Sequence, residues 1–151
     1  MPIWPSASID FTATEPPYNI HLKQTMAGDK YAEEFANRRT DYNMHSSEEG
    51  DIANAEDYPA YLDAMEKVFE QCYRVLKSKK YMAVILRNAY QDSRYILTNA
   101  DLTDRAQKVG FVLKGEKIWY QAGTRLRPYG YPYAYVPNIT HQFIMIFRKG
   151  K

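Results

Sequence analysis

Apolar residues recur at three- and four-residue spacing through Tyr61, Leu62, Met65, Val68, Phe69, Cys72, Val75 and Leu76. That is the period of a helix with one buried stripe. Asp57 or Tyr58 near the cap and Pro59 in the first turn suit its start. Arg74, Lys77, Lys79 and Lys80 suit its last turn, where cations meet the negative pole of the helix dipole. The pattern then changes: Tyr81-Met82-Ala83-Val84-Ile85-Leu86 is an unbroken apolar run of strand length. Such a run is expected of a strand enclosed on both faces of a sheet. It leaves through the polar segment Arg87-Asn88-Ala89-Tyr90. A second helix is expected from Ser93 or Asn99 to Lys108, stopped by Gly110. Phe111 to Gln121 and Ile139 to Arg148 read as strands, the second carrying Phe143, Ile144, Met145, Ile146 and Phe147.

The first part of the chain is less regular. Residues 1–7 hold Pro2 and Pro5 and read as an arm. An extended stretch from Ile9 then runs into Glu15-Pro16-Pro17-Tyr18. Each proline fixes its own φ and pushes the preceding residue out of the helical region, so Tyr18 emerges from a stiff corner. Residues 19–56 are polar and read mainly as a long loop, with a short helix around Tyr31 to Asn37; a loop of such length is usually a lid, a binding loop or a disordered segment. His21 and His45 within it read as solvated side chains. Residues 122–138 form another loop, rich in tyrosine, with Arg125 and Arg127. The order strand, helix, strand, helix, strand, strand implies an α/β fold, mostly parallel, closing in a C-terminal antiparallel pair.

Composition narrows the class. At 151 residues, 45% of them apolar, the chain is expected to form one domain, residues 1–151, with a sizeable core. Twenty basic against 18 acidic residues leave a formal charge of +2. That does not announce a nucleic-acid protein, yet leaves room for a local basic patch. Cys72 is the sole cysteine; its place on the apolar stripe makes it core, and an intrachain disulfide is excluded. No apolar run approaches membrane-spanning length and no signal peptide is evident, so a soluble, cytoplasmic protein is expected, with no metal site.

Several segments taken together carry a resemblance. Glu15-Pro16-Pro17-Tyr18, the helix end Glu70-Gln71-Cys72-Tyr73-Arg74-Val75-Leu76-Lys77 and the strand exit Arg87-Asn88-Ala89-Tyr90 come first. Arg127-Pro128-Tyr129-Gly130-Tyr131-Pro132 and Val136-Pro137-Asn138-Ile139-Thr140-His141-Gln142 follow. In this order and spacing they resemble the catalytic half of the S-adenosylmethionine-dependent DNA amino-methyltransferases, which methylate adenine N6 or cytosine N4. The resemblance covers roughly residues 8–149 and implies part of a Rossmann-like methyltransferase sheet.

It also implies roles. An exocyclic base amine is a poor nucleophile, because its lone pair is delocalised into the ring. In the family, the residue before Pro-Pro and a proline carbonyl accept its hydrogen bonds, localising the lone pair and aligning the nitrogen. Glu15 and the Pro16 carbonyl would hold the amine here, with Pro17 in the same catalytic motif, and Tyr18 would stack on a base rotated out of the duplex. Asn138, His141 and the Tyr129-to-Tyr135 loop, Tyr129 and Tyr131 foremost, would wall the base pocket, and Arg87 and Asn88 would face the same cleft. Arg38, Arg39, Arg125 and Arg127 would meet the nucleic-acid backbone. The cofactor would be S-adenosylmethionine and the substrate DNA, with RNA as an alternative.

The chain departs from the family pattern in two places. Where the family has aspartate, asparagine or serine before Pro-Pro, this chain has Glu15, one methylene longer. None of the seven glycines forms the Gly-x-Gly turn with which the family binds its cofactor. The expectation is therefore a split or truncated methyltransferase whose cofactor site is incomplete in this chain. A second chain or a homo-oligomer would complete the sheet. The alternative is a non-catalytic relative that binds nucleic acid or serves assembly.

Overall fold

The structure, a computed structural model, describes residues 4–17 and 50–150. Tyr18, Arg38, Arg39, His21, His45 and the helix expected near Tyr31 lie outside the described residues. Strand β1 (Ile9–Thr14) leads to the proline corner and is followed, beyond a 3-10 turn at Ile52–Asn54, by helix α1 (Tyr58–Val75). Strand β2 (Leu76–Leu86), a short hairpin of β3 (Ala89–Gln91) and β4 (Arg94–Ile96), and helix α2 (Thr98–Val109) come next. Strands β5 (Phe111–Tyr120) and β6 (His141–Lys149) close the chain.

The four long strands form one sheet in the order β1-β2-β6-β5. β1 runs parallel to β2, while β6 is inserted antiparallel between β2 and β5. Three strands thus point one way and β6 alone points back. This is the expected α/β sheet with its C-terminal antiparallel pair. Because β6 is reversed, its first residues lie at the same edge of the sheet as the last residues of β1, β2 and β5.

Both helices pack on one face of this sheet. Tyr61, Met65 and Phe69 recur every four residues along α1 and are buried with Leu102 and Ala106 of α2. Against them lie Met82, Val84 and Leu86 of β2 and Phe143, Met145 and Phe147 of β6. Enclosing side chains of this size stabilises a fold by about 1.5–3 kcal/mol each. α1 opens where expected: the Asp57 carboxylate accepts from the Ala60 N–H at 2.8 Å, with Pro59 in the first turn. Gly110 ends α2 at φ +119°, and a Cβ there would lie 3.3 Å from the Tyr73 ring, so only glycine fits the turn.

Three local expectations are corrected. Leu76, Lys77, Lys79 and Lys80 belong to β2, not to the last turn of α1. Arg74 does stand in the last turn of α1, and the ammonium that donates to the carbonyls of Tyr73 and Leu76 there is that of Lys149, far along the chain. Lys77 and Lys80 instead pair with Asp10 on β1, at 2.7 and 3.2 Å. Residues 89–96 form a hairpin in place of a polar exit, turning through Asp92 and Ser93 at φ +48° and +60°. Two consecutive left-handed residues match the twist of a two-residue hairpin. Finally, α2 starts at Thr98, so Ser93 is not part of it.

Candidate active site at the strand ends

The reversed β6 gathers four chain segments at one edge of the sheet: Glu15-Pro16-Pro17 after β1, Arg87-Asn88 after β2, the exit of β5, and His141-Gln142 opening β6. Ligands collect at such carboxyl ends in open α/β sheets. Register fixes which face each side chain takes. Phe11 pairs with Tyr81 and that with Arg148; Ala13 pairs with Ala83 and that with Ile146. Side chains alternate along a strand, so Glu15 continues the face of Phe11 and Ala13, away from the helices. Gln142 lies on that same face, with Ile144 and Ile146.

The two meet. The Gln142 side-chain amide donates to Glu15 Oε1 at 3.3 Å, and Gln142 is only 6% exposed. A buried amide needs a partner, and this one grips the carboxylate at the proline corner. Pro16 is buried and Pro17 exposed. Gln142 lies within the sequence motif, yet the family resemblance assigns it no role. Its signal in the sequence is a polar side chain at the opening of an otherwise apolar strand.

His141 and Gln142 part company. His141 has the parity of Phe143, and its ring packs edge-on against the Phe143 ring with centroids 5.0 Å apart. It therefore sits on the helix side of the sheet, while Gln142 takes the position beside Glu15. Asn88 is 4% exposed and turned inward: its Oδ1 accepts from the Asn99 N–H at 3.0 Å. The reason is local, since Leu97 at the α2 cap offers no side-chain oxygen and Asn88 supplies one from outside. Arg87, half-buried, precedes it at the same edge.

Asn138 also closes structure. Its side chain accepts from the Arg127 N–H at 2.9 Å and donates to the Arg127 carbonyl at 2.7 Å, pinning the base of the 121–140 loop. Tyr129 and Tyr131 stand on that loop, 48% and 78% exposed, with Arg125 exposed and Arg127 half-buried beside them. The structure thus joins Glu15 to Gln142 and places Tyr129, Tyr131, Arg125 and Arg127 on one neighbouring loop. It does not bring Asn138, Asn88 or His141 into a hydrogen bond with Glu15.

A cleft of about 740 Å3 lies elsewhere, between the starts of both helices and the β3–β4 hairpin, lined by Asp57, Tyr58, Arg94, Tyr95 and Asp101 among others. There the Tyr58 hydroxyl donates to Asp101 at 2.8 Å. Burial, then that carboxylate, push the phenol well above its ordinary range. None of the expected site residues lines this cleft.

A family model described as DNA methylase matches residues 9–151, nearly the whole sequence. The chain belongs to the DNA methylase family. Solved structures agree at the level of fold. The TTHA0409 protein of Thermus thermophilus, crystallised with S-adenosyl-L-methionine, superposes with a TM-score of 0.61 at 23% identity, over 99% of this chain and 51% of that one. Its selenomethionine form gives 0.62 at 19% identity, covering 99% and 48%. The PvuII DNA methyltransferase, cytosine-N4-specific, gives 0.60 at 16% identity, covering 99% and 46%. This methylase-family chain spans about half the length of the structures it matches. No curated protein matches the sequence. Among the described residues, no helix is long and apolar enough to cross a membrane.

Proposed function

We propose that this chain supplies the amine-holding side of an S-adenosylmethionine-dependent DNA methyltransferase that modifies adenine N6 or cytosine N4. The observation that carries the reading is the Glu15 carboxylate, at the end of β1 beside buried Pro16, gripped by the amide of Gln142. Methyl transfer to an aromatic amine needs acceptors for its two N–H groups, so that the nitrogen lone pair is drawn out of the ring. Glu15 and the Pro16 carbonyl are those acceptors. The grip of Gln142 offsets the extra methylene of Glu15: a longer side chain has one more rotor, and the amide holds it in one position. Tyr18, Tyr129 and Tyr131 would enclose the extruded base, with Pro17 stiffening the corner. Arg38, Arg39, Arg125 and Arg127 would face phosphates.

Bound S-adenosylmethionine would supply the methyl group to that nitrogen. Among the described residues, however, no Gly-x-Gly turn follows a parallel strand: Thr14 runs into Glu15-Pro16-Pro17 and Leu86 into Arg87-Asn88. These residues do not fit S-adenosylmethionine by themselves. The cofactor half belongs to a second chain or to a further segment of polypeptide. The test is incorporation of labelled methyl groups into duplex DNA by this chain, alone and with a Gly-x-Gly-bearing chain encoded beside it. Incorporation in the mixture and not with either chain alone is expected. Incorporation by this chain alone would contradict the split site, and none in the mixture would count against the enzyme. A second reading, a non-catalytic nucleic-acid-binding subunit, is favoured by the exposed tyrosines of the 121–140 loop.

A further inference from the structure

Arg74, Arg105 and Arg148 are each engaged within the fold. They donate to the Trp4 carbonyl, to Asp63 with Glu66, and to the Lys79 carbonyl. Arg87 differs: it is half-buried, and among the described residues no hydrogen bond or ion pair engages its guanidinium. Arg94 is likewise unengaged, but it is exposed. Withdrawing a cation from water without a partner costs free energy, so a half-buried one marks a place where an acceptor arrives.

Register shows where that acceptor arrives. Leu86 pairs with Phe143, so the next residues outward, Arg87 and Gln142, stand opposite each other. Leu86 is enclosed in the core on the helix side, and the Asn88 side chain turns to the start of α2. Alternation puts Arg87, between them, on the other face with Gln142 and Glu15. Thr14 pairs with Val84, which sets Glu15 level with Ile85, one strand across from Arg87 and two residues back. The guanidinium nevertheless makes no ion pair with Glu15. An acceptor for an amine and a fork of parallel N–H donors therefore stand side by side, neither spent on the other.

The chemistry of the bases distinguishes between them. A base whose amine rests on Glu15 turns its Watson–Crick edge to the residues beside that carboxylate, with its phosphates on the far side of the ring. Next to its amine, cytosine carries two neighbouring acceptors, N3 and the O2 carbonyl, spaced like the oxygens of a carboxylate. Adenine carries one, N1, followed by a C–H. A guanidinium fork suits two neighbouring acceptors. Against adenine, one of its N–H groups would face carbon, and a site left with an unpaired donor rejects that ligand.

We propose that Arg87 reads the N3 and O2 acceptors of an extruded cytosine, and so directs the Glu15 site to cytosine N4 in preference to adenine N6. This rests on the amine-holding reading and narrows it to one base. The experiment is fluorescence anisotropy of the full chain with two labelled duplexes. They are identical except for the nucleotide opposite an abasic residue, cytosine in one and adenine in the other. Such a base has no pair to break, so its extrusion costs little. The cytosine duplex is expected to bind about five- to hundredfold more tightly, the range of one bidentate contact. Arg87→Lys keeps the charge without the fork and should make the two affinities equal, with thermal melting unchanged. Equal or tighter binding of the adenine duplex by the native chain, or binding of neither, would overturn the assignment. So would a cytosine preference that survives Arg87→Lys while both affinities fall, which would make Arg87 a phosphate contact. Glu15→Leu separates this inference from the reading beneath it, since it should weaken both duplexes and keep their ratio. Affinities indifferent to Glu15 would sink the amine-holding reading; affinities that follow Glu15 with a ratio indifferent to Arg87 would sink only the choice of base.

Discussion

The two ends of the sheet use polar residues in opposite ways. At the end where β2 begins, cations close the fold. Lys77 and Lys80 neutralise Asp10, Arg148 donates to the Lys79 carbonyl, and Lys149 caps the carbonyls at the end of α1 while its ammonium sits 4.5 Å from the Tyr73 ring centre. At the end where β2 finishes, a carboxylate is gripped by a buried amide beside a proline corner, and a loop holds aromatic rings in solvent. Lysines expected at a helix end instead tie two strands together at the surface, Lys77 and Lys80 to Asp10. A tyrosine loop expected to wall a base pocket stands largely in solvent. Charge density alone therefore does not locate a site; what each polar or aromatic group already touches does.

Substitutions can break or sharpen this contrast. The largest effect is expected for Glu15→Gln assayed with the completing cofactor half. It keeps the contact to Gln142 but removes the charge that draws on the amine, and transfer should fall about 10²–10³-fold with melting unchanged. At the opposite end, Lys149→Met should destabilise the chain by about 2 kcal/mol, because charged hydrogen bonds to partly buried carbonyls are lost. Urea denaturation would measure it, and the site end should not respond.

Gln142→Leu separates the two roles of a buried amide. Similar volume should keep stability within about 1.5 kcal/mol, while a loosened Glu15 lowers transfer roughly tenfold or more, since small misplacements at a reacting centre are costly. A large loss of stability with unchanged kcat would make Gln142 structural. The smallest effect concerns Asp10, whose carboxyl is held below its ordinary value by Lys77 and then Lys80. A group lowered by folding stabilises above its unfolded value and loses that contribution as pH falls through the lowered one. Asp10→Asn should thus reduce Tm slightly at neutral pH, with the difference vanishing in strong acid; an increase on acidification would reverse the sign.

How much of this is legible in the sequence depends on how local each signal is. The stripe from Tyr61 to Phe69 and the Asp57-Pro59 start specify α1 almost by themselves, because period and cap lie within one element. The apolar run to Leu86 and the stop at Gly110 are equally local. The end of α1 escapes a sequence reading because its capping cation, Lys149, lies far along the chain. The hairpin at Asp92-Ser93 escapes it because those residues are not the Asn-Gly or Asp-Gly pair that usually betrays such a turn. At the site, the motif locates the proline corner and the tyrosine loop. It does not reveal that Asn88 and Asn138 are spent on a helix start and a loop closure. Nor does it show that alternation along β6 sends His141 to one face and Gln142 to Glu15; facing is a property of register, which only the assembled sheet supplies.

The central claim is that this chain carries the amine-holding side of a methyl-transfer site without the cofactor side. The most direct test is calorimetric titration of the purified full chain with S-adenosylhomocysteine, the product form of the cofactor. The account predicts no heat of binding in the micromolar range, and its appearance once a Gly-x-Gly-bearing partner is added. Micromolar binding by this chain alone would contradict it.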